Sequence, residues 1–425
     1  PASRLSSFLM EKVHLVSLGC PKNRVDSEVM VGKLHRGGEW SLVDEPAEAD
    51  VIIVNTCSFI QPATEESIDT VLEMAGYKAQ GRCKKLVVTG CMVQRYGNAL
   101  AGELPEVDHF LGTGEYHRIE EALRARSGQA PKSWIDTPVF QHDERDARVN
   151  SWAPHSAYLK ISEGCDHTCT FCIIPQLRGR LRSRTIDSLV AEATRLVGEG
   201  VVELNLISQD STAYGRDLVG KPQLAELIRA LAAIDGLRWL RIHYAYPIGI
   251  PNALLEAMAE EEKVCRYLDM PLQHASGPML KAMRRGVTRE GQDRILRRVT
   301  EAVPGLSVRT TFIVGFPGET EVDFEATLEL VAEAGYDSAY CFVFSPREGT
   351  EAATMVGDFV DHDVCVDRFE RLQKVLKRSA LLSHQSRIGR IEEVAIEGPA
   401  KREPNQVTGR TRQNKLVHLM AADGL

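Results

Sequence analysis

Gly164-Cys165-Asp166-His167-Thr168-Cys169-Thr170-Phe171-Cys172 sets three cysteines at CxxxCxxC spacing, just after the strand-like run AYLKIS. Three thiolates can hold three irons of a four-iron cube and leave the fourth iron open to a small molecule. The amino and carboxylate groups of S-adenosylmethionine suit such an iron, and one electron passed to the sulfonium releases a carbon radical. A zinc site is the alternative, and it ordinarily takes a fourth protein ligand; His167 is the residue at hand. Because His167 lies inside the tight loop and Phe171 offers a flat apolar wall for adenine, the cluster is the reading carried forward.

Outward from this loop, a strand followed by a helix repeats six times: AYLKIS, VELNLIS, WLRIHYAYP, YLDMPLQ, VRTTFIVGF and SAYCFVFS, with helical runs such as IDSLVAEATRLVGEG and EVDFEATLELVAEAG between them. This pattern predicts a partial (βα)6 barrel over residues 155–384, closed by a helix from about His362 to Ser383. The cysteine loop follows the first strand, at the carboxyl end where barrel chemistry collects. Residues 12–126 alternate in the same way: the strand KVHLVSLGC, a helix from Asp26 to about Gly37, the strand DVIIVNTC, a helix opening near Thr64, and the strand KKLVVTGC. A parallel sheet is expected there, and Cys20, Cys57 and Cys91 each end one of its strands, which brings them to one sheet edge. Cys83 precedes its strand and is set aside. Residues 127–154 are polar, contain Pro and lack sustained periodicity, as a linker does. Residues 385–425 hold short strand-like pieces, EEVAIEG and KLVHLM, and predict a small all-β module, short for an independent core. The fold class is α/β.

Composition bounds the function. The 425 residues are 43% hydrophobic and 26% charged, as in a globular chain long enough for two or three domains. Residues 1–10 include Phe8, Leu9 and Met10 but no cationic segment leading a long apolar run, and no apolar stretch reaches about 18 residues, so a cytoplasmic protein without membrane contact is expected. Ten cysteines, six of them in two sets, point to metal ligation in a reducing compartment. A formal charge of −8 disfavours broad nonspecific nucleic-acid binding and suits a basic protein partner.

The combination SLGCPKNRVDSE around Cys20, NTCSFI around Cys57, VTGCMVQRYG around Cys91 and KISEGCDHTCTFCIIPQLRGRLRSR around the loop resembles the methylthiotransferase family of radical S-adenosylmethionine enzymes over nearly the whole chain. That resemblance implies an N-terminal three-cysteine domain, a radical barrel and a C-terminal β module called TRAM. It implies two [4Fe–4S] clusters, one on Cys20, Cys57 and Cys91 and one on Cys165, Cys169 and Cys172. At the second, S-adenosylmethionine gives the 5′-deoxyadenosyl radical; at the first, a sulfur species is held and methylated. The Pro-Lys-Asn after Cys20, ISQDSTAYG (207–215), HYAYP (243–247) and YLDMPLQHAS (267–276) resemble the branch acting on the β-carbon of an aspartate in small-subunit ribosomal protein S twelve. The tail EGPAKREPNQVTGRTRQNKLVHL (397–419) looks closer to the TRAM of the branch acting on a tRNA adenosine, and it stops before that module would be complete. An electron donor such as flavodoxin or ferredoxin and a sulfur donor are implied as partners.

Other residues carry two readings. Gly315, Phe316, Pro317, Gly318 and Glu319 end the fifth strand, where the family places an adenine contact; a plain strand-to-helix turn explains them too. Gln209 and Asp210 end the second strand and suit ribose or the methionyl amine, while Asp210 also suits a helix cap. Arg178, Arg180, Arg182 and Arg184 alternate after the loop and could grip the cofactor carboxylate, the target aspartate or an RNA phosphate, with Arg184 as the cofactor-binding candidate; a solvated basic edge is the other reading. For Lys401, Arg402, Arg410, Arg412 and Lys415, RNA contact and ordinary surface charge are both open. His14, His243 and His274 read as hydrogen-bonded core or pocket residues, and Cys265, Cys341 and Cys365 as packed thiols. Three functions remain in play: methylthiolation of the ribosomal protein, methylthiolation of tRNA, and a noncatalytic two-cluster carrier or zinc scaffold.

Overall fold

Alternating apolar runs and amphipathic stretches fold here as two α/β units in a computed structural model that describes residues 10–125, 132–403 and 405–421. One unit comprises Pro1–Trp152, Glu163–Asp166 and Ile173–Arg182; the other comprises Ala153–Ser162, His167–Cys172 and Ser183–Leu425. The expectation for residues 1–9 and the 126/127 boundary lie outside the described residues. Among those described, no helix is long and apolar enough to cross a membrane.

The first unit is a six-stranded parallel sheet of β1 (Glu11–Ser17), β2 (Trp40–Leu42), β3 (Val51–Thr56), β4 (Lys85–Gly90), β5 (His109–Leu111) and β6 (Ser133–Trp134), in the order β2-β1-β3-β4-β5-β6. The central strand β3 is buried along its whole length, which is why it reads as a continuous apolar run. Helix α1 (Pro21–Gly37) begins five residues earlier than the periodicity suggested. Pro21 at its first position is pre-set for a helix and needs no hydrogen-bond partner, so the chain turns helical immediately after Cys20. Strands β2, β5 and β6 are two or three residues long, too short to show a period.

The segment expected as a linker carries β6, paired with β5 through Phe110↔Ser133, and then packs on α1. Arg148 Nη2 meets Glu28 Oε2 at 2.6 Å with both side chains 1% exposed. Ser151 donates to Glu28 Oε1 from its N–H at 2.9 Å and its hydroxyl at 2.8 Å. Gly32 permits the approach, since a Cβ there would come within 2.5 Å of the Arg148 nitrogen.

In the second unit, strands Ser156–Lys160, Glu203–Ile207, Trp239–Ile242, Val264–Asp269, Ser307–Val314 and Ser338–Val343 pair in parallel and in chain order. Each helix returns the chain to lie beside the strand just made, the arrangement of a partial (βα)6 barrel. Threonine caps start the returns: Thr185 accepts from the Ser188 N–H, Thr288 from Gly291, and Thr320 forms a capping box with Asp323. The core between strands and helices includes Leu204, Leu206, Leu240, Ile242, Leu268, Phe312 and Phe324, all fully buried. A helix over His362–Gln385 follows, then an antiparallel three-stranded sheet of Val394–Pro399, Gln406–Thr411 and Leu416–Met420.

The Glu28–Arg148 pair has a measurable consequence. Replacing Arg148 by Ala leaves a buried carboxylate without its cation and should destabilise the N-terminal unit by about 3–5 kcal/mol in chemical denaturation. Replacing Glu28 by Leu and Arg148 by Met together should recover most of that loss.

Candidate functional site

Cysteines at three parallel strand ends meet in the N-terminal unit. Cys20 follows β1 and caps α1, Cys57 follows β3, and Cys91 follows β4 and opens the helix Cys91–Tyr96. Burial raises the pKa of Cys57 and of Cys91, and the neighbouring thiols add to it: Cys20 acts on Cys57, and Cys57 and Cys20 act on Cys91. Two glycines allow this crowding. Gly19, at φ +84°, lies where a Cβ would sit 2.9 Å from Cys57 Sγ, and Gly90, at φ +100°, where one would sit 2.6 Å from the Thr56 carbonyl.

A hydrogen-bond network fixes these strand ends. Asn23 Nδ2 donates to the Leu18 carbonyl at 3.1 Å and the Thr56 carbonyl at 2.8 Å, while Asn55 Nδ2 returns to the Asn23 carbonyl at 2.8 Å. Ser67 brackets Cys57, accepting from its N–H at 3.0 Å and donating to its carbonyl at 2.8 Å. Arg178 lies in the same unit, 2% exposed, with Nη1 2.7 Å from Asp26 Oδ2 and 3.1 Å from Glu163 Oε2. Its Nη2 bonds Asn23 Oδ1 and lies 3.6 Å from Cys91 Sγ. Burial works against the Arg178 charge, yet Glu163 and Asp26 hold its pKa well above the ordinary arginine value. Burial pushes the Cys91 thiol up to about 12, with Arg178 opposing; iron ligation takes the thiolate, so it displaces that proton.

The Cys165–Cys172 loop is divided between the units. Cys165 and Asp166 belong to the N-terminal unit: the Cys165 N–H donates to the Gly179 carbonyl at 3.0 Å, and Asp166 Oδ1 accepts from the Leu181 N–H at 3.2 Å. Cys169 and Cys172 belong to the second unit, joined by a 3.0 Å bond from the Cys172 N–H to the Cys169 carbonyl. There Arg285 Nη1 lies 3.3 Å from Cys169 Sγ and its guanidinium covers the Tyr246 ring at 4.2 Å. His167 stacks on Tyr246 at 3.7 Å and meets Asp210 Oδ2 at 2.7 Å. Burial raises the Tyr246 pKa, keeping the phenol neutral and donating to the Arg285 carbonyl at 3.0 Å. Phe171 is buried among Met279, Met283, Ile313 and Phe316.

The remaining candidates separate by their partners. Asp210 both caps, accepting from the Thr212 N–H at 2.9 Å, and holds His167; Gln209 beside it is half-buried. Glu319 is turned inward, where Oε2 accepts from the Gly315 N–H at 2.7 Å and the Phe316 N–H at 3.2 Å, and Oε1 meets Arg368 at 3.1 Å. It thereby sets the shape of the Gly315-Phe316-Pro317-Gly318 turn. His274 Nδ1 accepts from the Ala275 and Ser276 N–H groups, so its proton lies on Nε2, 3.4 Å from Glu319. His14 and His243 are hydrogen-bonded to Val43 and Asn205. Arg184 is 4% exposed and committed to Glu192 and Ser188. Arg182 bonds the Arg180 and Arg178 carbonyls, which leaves Arg180 as the exposed member of the four. In the tail, Arg410 pairs with Glu397, Arg412 with Glu393 and Lys415 with Asp337, whereas Lys401 and Arg402 are exposed.

Donor chemistry fits iron–sulfur ligation: Cys20, Cys57 and Cys91 are thiols at strand ends, Cys169 and Cys172 lie in one loop, and a buried arginine N–H reaches Cys91 in the first unit and Cys169 in the second, a bond that supports thiolate ligands. Among the described residues, no three His, Cys, Asp or Glu side chains converge to hold a single metal ion. Sequence reasoning did not find Asn23, Asp26, Glu163, Tyr246 or Arg285, because their partners lie far along the chain; the motif arginine Arg178 was noticed without its partners.

Known proteins agree with this arrangement. Residues 12–112 match the model of a family described as uncharacterized protein family UPF0004, and residues 159–331 match the radical SAM superfamily. The ribosomal protein uS12 methylthiotransferase RimO of Anaeromyxobacter sp. strain K is 50% identical, covering 95% of this chain and 85% of its own length. Those of Myxococcus xanthus and Geobacter sulfurreducens are 49% and 48% identical, each covering 94% of this chain and 83% and 90% of their own. Among solved structures, the radical S-adenosylmethionine methyltransferase TsrM from Kitasatospora setae superposes with a TM-score of 0.59 at 16% identity, covering 81% of this chain and 77% of its own. The cobalamin-dependent radical enzyme OxsB superposes at 0.55 with 12% identity, over 91% and 62%; both share the fold alone. With half its residues identical to such relatives along nearly its whole length, this chain belongs to the radical SAM methylthiotransferases of the ribosomal protein uS12 RimO family.

Proposed function

We propose that this chain is the radical S-adenosylmethionine enzyme that adds a methylthio group to the β-carbon of an aspartate in ribosomal protein uS12. The observation that carries the reading is the 50% identity to uS12 methylthiotransferases over 95% of the chain. The tRNA reading suggested by the tail finds no comparable support, and three of the tail's five basic residues are paired with carboxylates of the same chain.

Cys165, Cys169 and Cys172 would hold one [4Fe–4S] cluster, and Cys20, Cys57 and Cys91 a second. Bound together with S-adenosylmethionine, these groups supply a carbon radical that takes hydrogen from an unactivated C–H and a methylthio group to replace it, chemistry outside the range of acid and base side chains. The protein's part is position and charge. Arg285 and Tyr246 brace Cys169 from one side, and His167, clamped by Asp210, extends the same stack. Gly315, Phe316, Pro317, Gly318, Gln209 and Asp210 form our proposed contact set for the nucleotide, with Phe171 filling the apolar floor. Glu319 and Arg184 serve that set by bracing, since their charged groups are bonded to protein partners.

In domain terms, 12–126 would carry the sulfur-handling cluster, 155–384 the radical cluster, and 385–425 a TRAM-like module, with 127–154 joining the first two. A small redox protein of the flavodoxin or ferredoxin class would deliver electrons, a separate donor would restore sulfur, and the cytoplasm, where ribosomal proteins are made, would be the place of action. The exposed pair Lys401 and Arg402 is the part of the tail open to RNA.

Two experiments test this. Anaerobically reconstituted protein in which Cys20, Cys57 and Cys91 are replaced by Ala should still yield 5′-deoxyadenosine from S-adenosylmethionine but no methylthiolated product, whereas Cys169→Ala should abolish both. Mass spectrometry of uS12 and of tRNA nucleosides, from cells with and without the chain, should show a gain of one CH2S unit on the uS12 aspartate; a gain confined to tRNA would overturn the assignment.

A further inference from the structure

Arg178 and Arg285 are buried arginines that reach cysteine sulfurs, and their counter-charges differ. Arg178, 3.6 Å from Cys91 Sγ, is gripped by two carboxylates, Asp26 at 2.7 Å and Glu163 at 3.1 Å, each 5% exposed. Arg285, 3.3 Å from Cys169 Sγ, gives its other amino group to the Pro271 carbonyl at 2.7 Å and lays its face on Tyr246. Among the described residues, no carboxylate stands within ion-pair distance of Arg285. A cation donating to a cluster sulfur favours the reduced, more negative state and raises the reduction potential. Carboxylates clamped to the same guanidinium oppose that effect, and they do so strongly in a buried site where charges are poorly screened.

We propose that Asp26 and Glu163, acting through Arg178, are positioning residues that keep the centre on Cys20, Cys57 and Cys91 harder to reduce than the centre on Cys165, Cys169 and Cys172. The proposal rests on the two-cluster reading above. Its consequence is an order of electron delivery. With both clusters bound, a single electron from a redox partner would go to the radical-forming centre, and the sulfur-handling centre would stay oxidised. Other charges stand near both sites. Lys22 is buried in the first turn of α1 and Arg95 donates to the Ser58 carbonyl at 2.9 Å, while Asp210 pairs with His167 and Arg347 donates to the Phe171 carbonyl. A comparison of the two centres therefore reads the sum of these charges, and single substitutions isolate the carboxylates.

The test uses two full-length proteins that each keep one centre, one with Cys165, Cys169 and Cys172 replaced by Ala and one with Cys20, Cys57 and Cys91 replaced. Each is reconstituted without oxygen, assayed for iron and sulfide, and titrated with dithionite and mediators in the absence of S-adenosylmethionine, with the reduced cluster read by electron paramagnetic resonance. The centre on Cys20, Cys57 and Cys91 should be half-reduced at a lower potential, by at least a tenfold change in the reduced-to-oxidised ratio, about 59 mV for one electron. Adding Asp26→Asn or Glu163→Gln should raise that midpoint, and Asp26→Glu, which keeps the charge, should leave it in place. Equal or inverted midpoints, or neutral variants with full iron content and unmoved midpoints, would overturn the inference. Absence of any cluster from the protein that retains Cys20, Cys57 and Cys91 would instead bring down the two-cluster reading itself.

Discussion

Parallel strand pairing is the constraint on which both sites depend. When every strand of a sheet runs the same way, each must be followed by a returning segment, and all the strand-to-helix turns open on one edge. In the N-terminal unit this gathers Cys20, Cys57 and Cys91, separated by dozens of residues in sequence, at the ends of β1, β3 and β4. In the second unit the same rule brings Asp210 to His167, and Tyr246 and Arg285 to Cys169, from turns after different strands. Neither constellation needs a specialised scaffold.

Crowding at such an edge creates a desolvation problem, and the chain meets it with hydrogen bonds and paired charges. Asn23 and Asn55 exchange amide bonds with the backbone that turns past Cys20 and Cys57, which fixes the spacing of those strand ends. Buried Arg178 is stable only because Asp26 and Glu163 answer its charge. Around Glu319 the same logic serves a turn: two backbone N–H groups, Arg368 and His274 converge on one carboxylate, and the Gly315–Gly318 backbone is held in one shape.

Much of this was legible in the sequence for physical reasons. A fully buried strand such as Val51–Thr56 announces itself as an apolar run, and the alternation of such runs with helices implies parallel order. Cysteines placed just after such runs therefore declare their common edge. Short strands such as Ser133–Trp134 have no period to read, and the segment around Arg148, polar in composition, conceals a buried ion pair whose partner is Glu28 on a distant helix. The tail's basic residues looked like a possible contact surface; Glu393, Glu397 and Asp337 neutralise three of them.

Sequence by itself therefore determined the α/β class, the six-fold strand and helix repeat, the two cysteine sets and the family, because spacing and periodicity are properties of neighbouring residues. Tertiary structure alone decided which charges face which sulfurs. Arg178 and Arg184 stand six residues apart in one basic run, yet one lies beside a cysteine, held by Asp26 and Glu163, while the other turns to Glu192 on the helix that follows it. Electrostatic partnership acts through space at a few ångströms, and no local pattern along the chain encodes it.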